Sequence, residues 1–74
     1  MTDKASPKGW VIQVTILRPG GNQSVQIYDV AIPEASSALE TVRRVSGAGL
    51  GDIVETIGEL PVGTDLRDGE VLLR

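Results

Sequence analysis

Two alternating runs joined by Pro19-Gly20-Gly21-Asn22 constrain this chain more than any other feature. Alternation with period two is the mark of a strand with one face buried, and a Pro-Gly pair between two such runs marks a hairpin. In the first run, residues 10–17, one face carries Trp10, Ile12, Val14 and Ile16. Val11, Gln13, Thr15 and Leu17 occupy the other. Pro19 fixes φ and Gly20 accepts a positive φ, as the central pair of a type II turn requires. Residues 24–32 then return antiparallel.

Turn geometry sets the expected register. A turn centred between Gly20 and Gly21 opposes Ile16 to Val25 and Val14 to Ile27. Continued, it would set Asp29 against Ile12 on the buried face, where an unpaired carboxylate is costly. One extra residue near Tyr28 or Asp29 instead opposes Val30 to Ile12 and Ile32 to Trp10. A β-bulge is therefore expected there. In this register Val11, Gln13, Thr15, Tyr28 and Leu72 look away from the core.

Pro33 ends the second strand and leads into a helix of roughly ten residues, too short to persist without packing on the hairpin. Ser37 and Glu40 have capping-box spacing. Ala38, Leu39, Val42 and Val45 form its apolar stripe, Glu40 and Arg44 an i,i+4 ion pair, and Gly47 the left-handed stop. The hairpin and helix, residues 10–44, are the unit that the rest of the chain completes.

The remainder is less regular. Residues 46–51 are a glycine-rich loop; lying after a helix and lacking Gly-Lys-Ser/Thr, they do not match a phosphate-binding loop. In residues 52–60, Ile53, Val54, Ile57 and Leu60 fit helical spacing, yet Val54-Glu55-Thr56-Ile57 favours β structure. A strand is expected, with a second short helix as the alternative. Residues 61–69 are turn-rich around Leu66, and Asp68-Gly69 is a tight turn. The continuous Val71-Leu72-Leu73 run predicts a central strand covered on both faces.

Ile32-Pro33 at the helix entry and the ending Gly63-Thr64-Asp65-Leu66-Arg67-Asp68-Gly69-Glu70-Val71-Leu72-Leu73 resemble the β-grasp, or ubiquitin-like, proteins. The ending is similar to that of the small bacterial sulfur carriers. The resemblance spans residues 10–74. It implies an α+β fold with a ββαββ mixed sheet, the last strand central and parallel to the first, and one helix on one face. It also implies carriers or modifiers activated at a C-terminal Gly-Gly. Here the sequence ends Leu73-Arg74, so a sulfur carrier or protein modifier is the alternative and not the leading expectation.

The 74 residues suit one domain at 10–74 behind a polar, disordered tail at 1–9. With no cysteine and no histidine, disulfides, thiolate nucleophiles, the usual zinc sites and the commonest general base are excluded. Neither a catalytic residue, a metal site nor a cofactor is expected. Ten acidic against seven basic residues, net −3, oppose nucleic-acid binding and attraction to an anionic membrane. Residues 1–8 lack the apolar core of a secretory signal, which points to the cytoplasm. Arg43-Arg44 reads as a solvated face before an anion site, Trp10 as a core-edge residue before a stacking platform, and Asp65 and Asp68 as turn formers before cation ligands.

What remains is a non-enzymatic interaction module. A protein partner would dock on the sheet face away from the helix, at Val11, Gln13, Tyr28, Leu72 and Arg74. Pairing through the free edge of the second strand is a further route to a partner, and the expected state is a monomer or weak dimer.

Overall fold

The computed structural model describes residues 7–74. It is an α+β fold with β1 at Trp10–Leu17, β2 at Gln23–Val30, α1 at Ala35–Ser46, β3 at Ile53–Glu59 and β4 at Val71–Leu73. Of the tail expected at residues 1–9, residues 1–6 lie outside the described residues. Gly9 is part of the fold, its carbonyl accepting the Leu60 amide at 2.9 Å. A Cβ at Gly9 would lie 1.8 Å from the Val30 carbonyl oxygen, so only glycine fits where these backbones meet.

The sheet order is β3-β1-β2-β4, with every pairing antiparallel. This overturns the mixed sheet with a central last strand. β4 is only three residues long and lies at an edge, with Leu72 and Leu73 both half exposed. An apolar run of three residues has too little period to show whether it is covered once or twice. β3 is a strand, as expected over a helix, and takes the place beside β1 that the resemblance gives to the last strand.

The hairpin register also differs from expectation, by one residue. The Arg18 amide donates to the Asn22 carbonyl at 2.8 Å, which centres the turn on Gly20. Ile16 therefore faces Ser24, Val14 faces Gln26 and Ile12 faces Tyr28. No bulge interrupts the β1–β2 ladder. The irregularity is in β3, where Val11 faces Gly58 but Ile12 faces Thr56, leaving Ile57 as the extra residue.

Because side chains alternate, that single step exchanges the expected faces of β2 from Ser24 to Tyr28, while Val30 reaches the core without a bulge. Tyr28 and Val30 join Ile12, Val14, Ala38 and Val42 in the core under the helix, with Trp10, Ile16, Leu39, Val54 and Val71 packed around them. Tyr28 does not look outward, contrary to expectation. Its hydroxyl donates to Gln26 Oε1 at 2.9 Å, so its polar end is satisfied. Trp10 is half-buried at the core edge and donates from Nε1 to the Pro33 carbonyl at 3.0 Å.

α1 begins earlier than expected. Glu34 is its N-cap and makes no side-chain bond to a helix amide; Ser37 Oγ donates instead to Glu34 Oε1 at 2.6 Å, so the expected capping box does not form. Ala38 and Val42 are buried and Leu39 partly so, but Val45 is exposed in the last turn. Gly47 ends the helix at φ 74°, as expected, and the Ala48 amide donates to the Arg43 carbonyl. The Glu40–Arg44 ion pair is not formed. Among the described residues the ion pair is Arg74–Asp29.

Candidate interaction face

The sheet face away from α1 follows from the register. Its first row is Leu17 beside Gln23; its second is Ile53, Thr15 and Val25 across β3, β1 and β2. The third is Glu55, Gln13 and Ile27, with the Arg74 amide donating to the Ile27 carbonyl at 2.8 Å. The fourth is Gly58, Val11, Asp29 and Leu72.

The loop after β3 closes one end of this face. Leu60 and Leu66 are buried against Val11 and Ala31, with Ile27 at the margin, making a second and smaller core. The loop is fixed by Leu60 pairing with Gly9 and by the Gly69 amide donating to the Ala31 carbonyl at 2.8 Å. The far end has no such cover. Leu17 and Val25 are each 52% exposed there and Ile53 48%, while Leu72, in the fourth row beside Asp29, is 51% exposed at the sheet's edge. Thr15, in their midst, is buried, its hydroxyl 3.5 Å from the Gln13 amide nitrogen.

Among the described residues, Asp29 gives this face its one ion pair. The carboxylate is nearly buried beside Val11, and Arg74 reaches Oδ1 with Nε and Nη2, each at 2.9 Å. A buried carboxylate needs such a partner. Asp29 thus stays nearly buried with no bulge in the β1–β2 ladder, contrary to expectation, because the arginine satisfies its charge.

At the open end Asp52 ties three elements together. Its Oδ1 accepts the Leu17 amide at 2.9 Å and its Oδ2 the Gly49 amide at 2.8 Å. The Gly49 amide and then the Leu17 amide hold its carboxyl below the ordinary value, with a smaller contribution from Arg43. Arg43 also donates to the Gly49 carbonyl at 2.9 Å, so it braces the loop and is not a free anion site.

Of the five residues expected to form a site, Leu72, Arg74, Gln13 and Val11 share this face and Tyr28 does not. Val11 is buried beneath Leu60 and Leu66, and Arg74 is engaged by Asp29. Leu72 is half exposed. The other exposed apolar positions are Leu17, which the alternation of the first run put on this face without naming it as a site residue, and Val25 and Ile53, which sequence reasoning missed. In β2, Val25 and Ile27 share one phase and Tyr28 and Val30 the other, and alternation alone does not say which pair faces out. Among the described residues there is no pocket and no group of three or more potential metal ligands. Among the described residues no helix is long and apolar enough to cross a membrane.

Comparison with protein-family models, curated proteins and solved structures finds no match to this chain.

Proposed function

We propose that this protein is a non-enzymatic interaction module whose partner is another protein, docked on the open end of the sheet face away from α1. The observation that supports it is the half-exposed set Leu17, Val25 and Ile53 at that end of a sheet face whose opposite face is closed by a helix. Apolar side chains gathered on one side of a rigid sheet offer the central contacts of an interface, and Glu55 and Arg74 supply a polar margin of both signs. The ubiquitin-like arrangement is not needed for this reading, since the sheet has no parallel pair. A carrier activated at its C-terminus is favoured by no observation on this face.

The test is capture from native lysate by the immobilised protein and two variants, Ile53→Asp and Val62→Asp. Val62 is fully exposed in the loop after β3, away from the proposed contact. The expected result is a partner retained by the wild type and Val62→Asp and lost from Ile53→Asp, with circular dichroism unchanged. Equal retention by Ile53→Asp would remove the face from consideration.

A further inference from the structure

β3 is an outer strand, with β1 on one side and, among the described residues, no strand on the other. Hydrogen-bond phase shows which of its backbone groups turn outward. At one end of the β1–β3 pair the Leu17 amide reaches Asp52, and at the other the Leu60 amide donates to the Gly9 carbonyl. Odd-numbered residues of β1 therefore turn toward β3, so Thr15–Ile53, Gln13–Glu55 and Val11–Gly58 are the bonded pairs. The amides and carbonyls of Val54 and Thr56 point the other way. Among the described residues no further backbone bond reaches them.

This short lane has defined ends. The Asp52 amide is taken by the Gly49 carbonyl at 3.1 Å, and the extra residue Ile57 breaks the phase beyond Thr56. Gly9 extends the lane of β1 and Arg74 that of β4, so neither described end of the chain enters it. The charge along it has one sign. Residues 53–59 hold Glu55 and Glu59 and no lysine or arginine. Both carboxylates are exposed and, among the described residues, outside any ion pair.

We propose that the outer edge of β3 receives an extended basic segment of a protein partner, added antiparallel as a fifth strand. The partner residue opposite Glu55 is lysine or arginine. Its two neighbours exchange two hydrogen bonds with Val54 and two with Thr56, four in all. The pair at Glu55 is then of the non-bonded kind, whose side chains approach most closely, and its ion pair forms on the sheet face away from α1. The same carboxylate turns away a second copy, because two β3 edges sharing these four bonds would set Glu55 against Glu55. Backbone bonds hold the segment, and Glu55 selects it. A lane of three residues buries far less than the roughly 1,000 Å² of a stable interface, so a short peptide binds with a dissociation constant on the order of a millimolar.

This pairing goes beyond the docking proposed above, since it uses backbone at the edge and does not need the apolar set at the open end. The probes are the end-blocked peptides Thr-Val-Lys-Val-Ile and Thr-Val-Glu-Val-Ile, titrated into the full chain and followed by amide shifts and exchange. In the free protein the Val54 and Thr56 amides should exchange at least about tenfold faster than that of Glu55, which bonds to Gln13. At about 10 mM, roughly ten times the dissociation constant, the lysine peptide should slow both about tenfold. It should bind about fivefold tighter than the glutamate peptide at low salt, and Glu55→Lys, at an exposed position, should reverse that order. Leu17→Asp, at the open end, should leave peptide binding unchanged, which separates failure here from failure of the partner face. Val54 and Thr56 amides as protected as Glu55 in the dilute free chain would show that another part of the chain holds this edge. Protection that grows with protein concentration alone would put a second copy there. Either result, or equal affinity for the two peptides, would overturn the proposal.

Discussion

The two faces of this sheet are built from similar residues and finished differently. Under α1, Ile12, Val14, Val30 and Val42 are wholly buried, in a cluster that draws on β1, β2 and the helix. On the opposite face only one end is closed, by Leu60 and Leu66, while Val25 and Ile53 remain half exposed around Thr15. Valine and isoleucine occur on both faces, so residue type does not distinguish core from contact surface. The difference lies in what the connections do: the β2–β3 connection contains a helix, and the β3–β4 connection carries only two buried apolar anchors, Leu60 and Leu66. The first face holds the fold together, and the second has apolar surface that the fold does not use.

The sharpest way to break that distinction is to truncate isoleucine on each face. Ile12→Ala leaves a cavity in a region with no solvent access and should cost about 2–5 kcal/mol, a large part of the stability of so small a domain. Ile53→Ala should cost under about 1 kcal/mol, because half of the side chain is already in water. Urea unfolding followed by Trp10 fluorescence measures both. Comparable losses would mean that the second face is as much a core as the first. Leu66→Ala belongs between them, at roughly 2 kcal/mol, since it uncovers Val11 and Ala31 without opening the main cluster.

Arg74 sharpens the same comparison from the polar side. Removing it leaves the Asp29 carboxylate nearly buried with neither of its two short contacts. Arg74→Ala should cost about 1–2 kcal/mol, less than for a fully buried pair because the arginine is itself half exposed. Asp29→Asn in the Arg74→Ala background should restore part of the loss, whereas additive effects would show that the two residues do not act together.

These contrasts also show how far the sequence could be read. The hairpin, the helix stop at Gly47 and the strand at Ile53–Glu59 were legible because period, left-handed glycine and β-branched content are local signals. The faces of β2 were not legible. Residues 24–32 carry apolar side chains in both phases, and only the centre of the turn decides between them. Glycine at both 20 and 21 permits either centre, with φ of 89° and 87° in the folded turn. Tyr28 was thus assigned to the exposed face and Val25 overlooked through one residue of slip. The place of β4 was illegible for another reason: pairing partners of distant strands depend on how the intervening loop packs, and Leu66 alone gives no direction. The Arg74–Asp29 contact spans 45 residues of sequence and has no local signature at all.

The smallest expected effect is confined to the open end. Asp52 is held as a carboxylate by the Gly49 and Leu17 amides, and its folded pKa lies below the ordinary value of 3.8. A depressed carboxyl pKa contributes stability that is fully present above the unfolded value and is lost as pH falls through the folded one. The contribution should therefore persist at neutral pH and fade below about pH 4, as protonation takes charge from both bonds. Asp52→Asn keeps one acceptor and removes the titration, so its stability should change less than that of the wild type between about pH 5 and pH 2. Amide exchange at Leu17 and Gly49 gives the local reading: protection lost on acidification in the wild type and nearly constant in the variant. Parallel pH profiles for the two proteins would show that Asp52 does not hold the end of β1 to the start of β3, and that the open end of the face is ordered by the ladder alone.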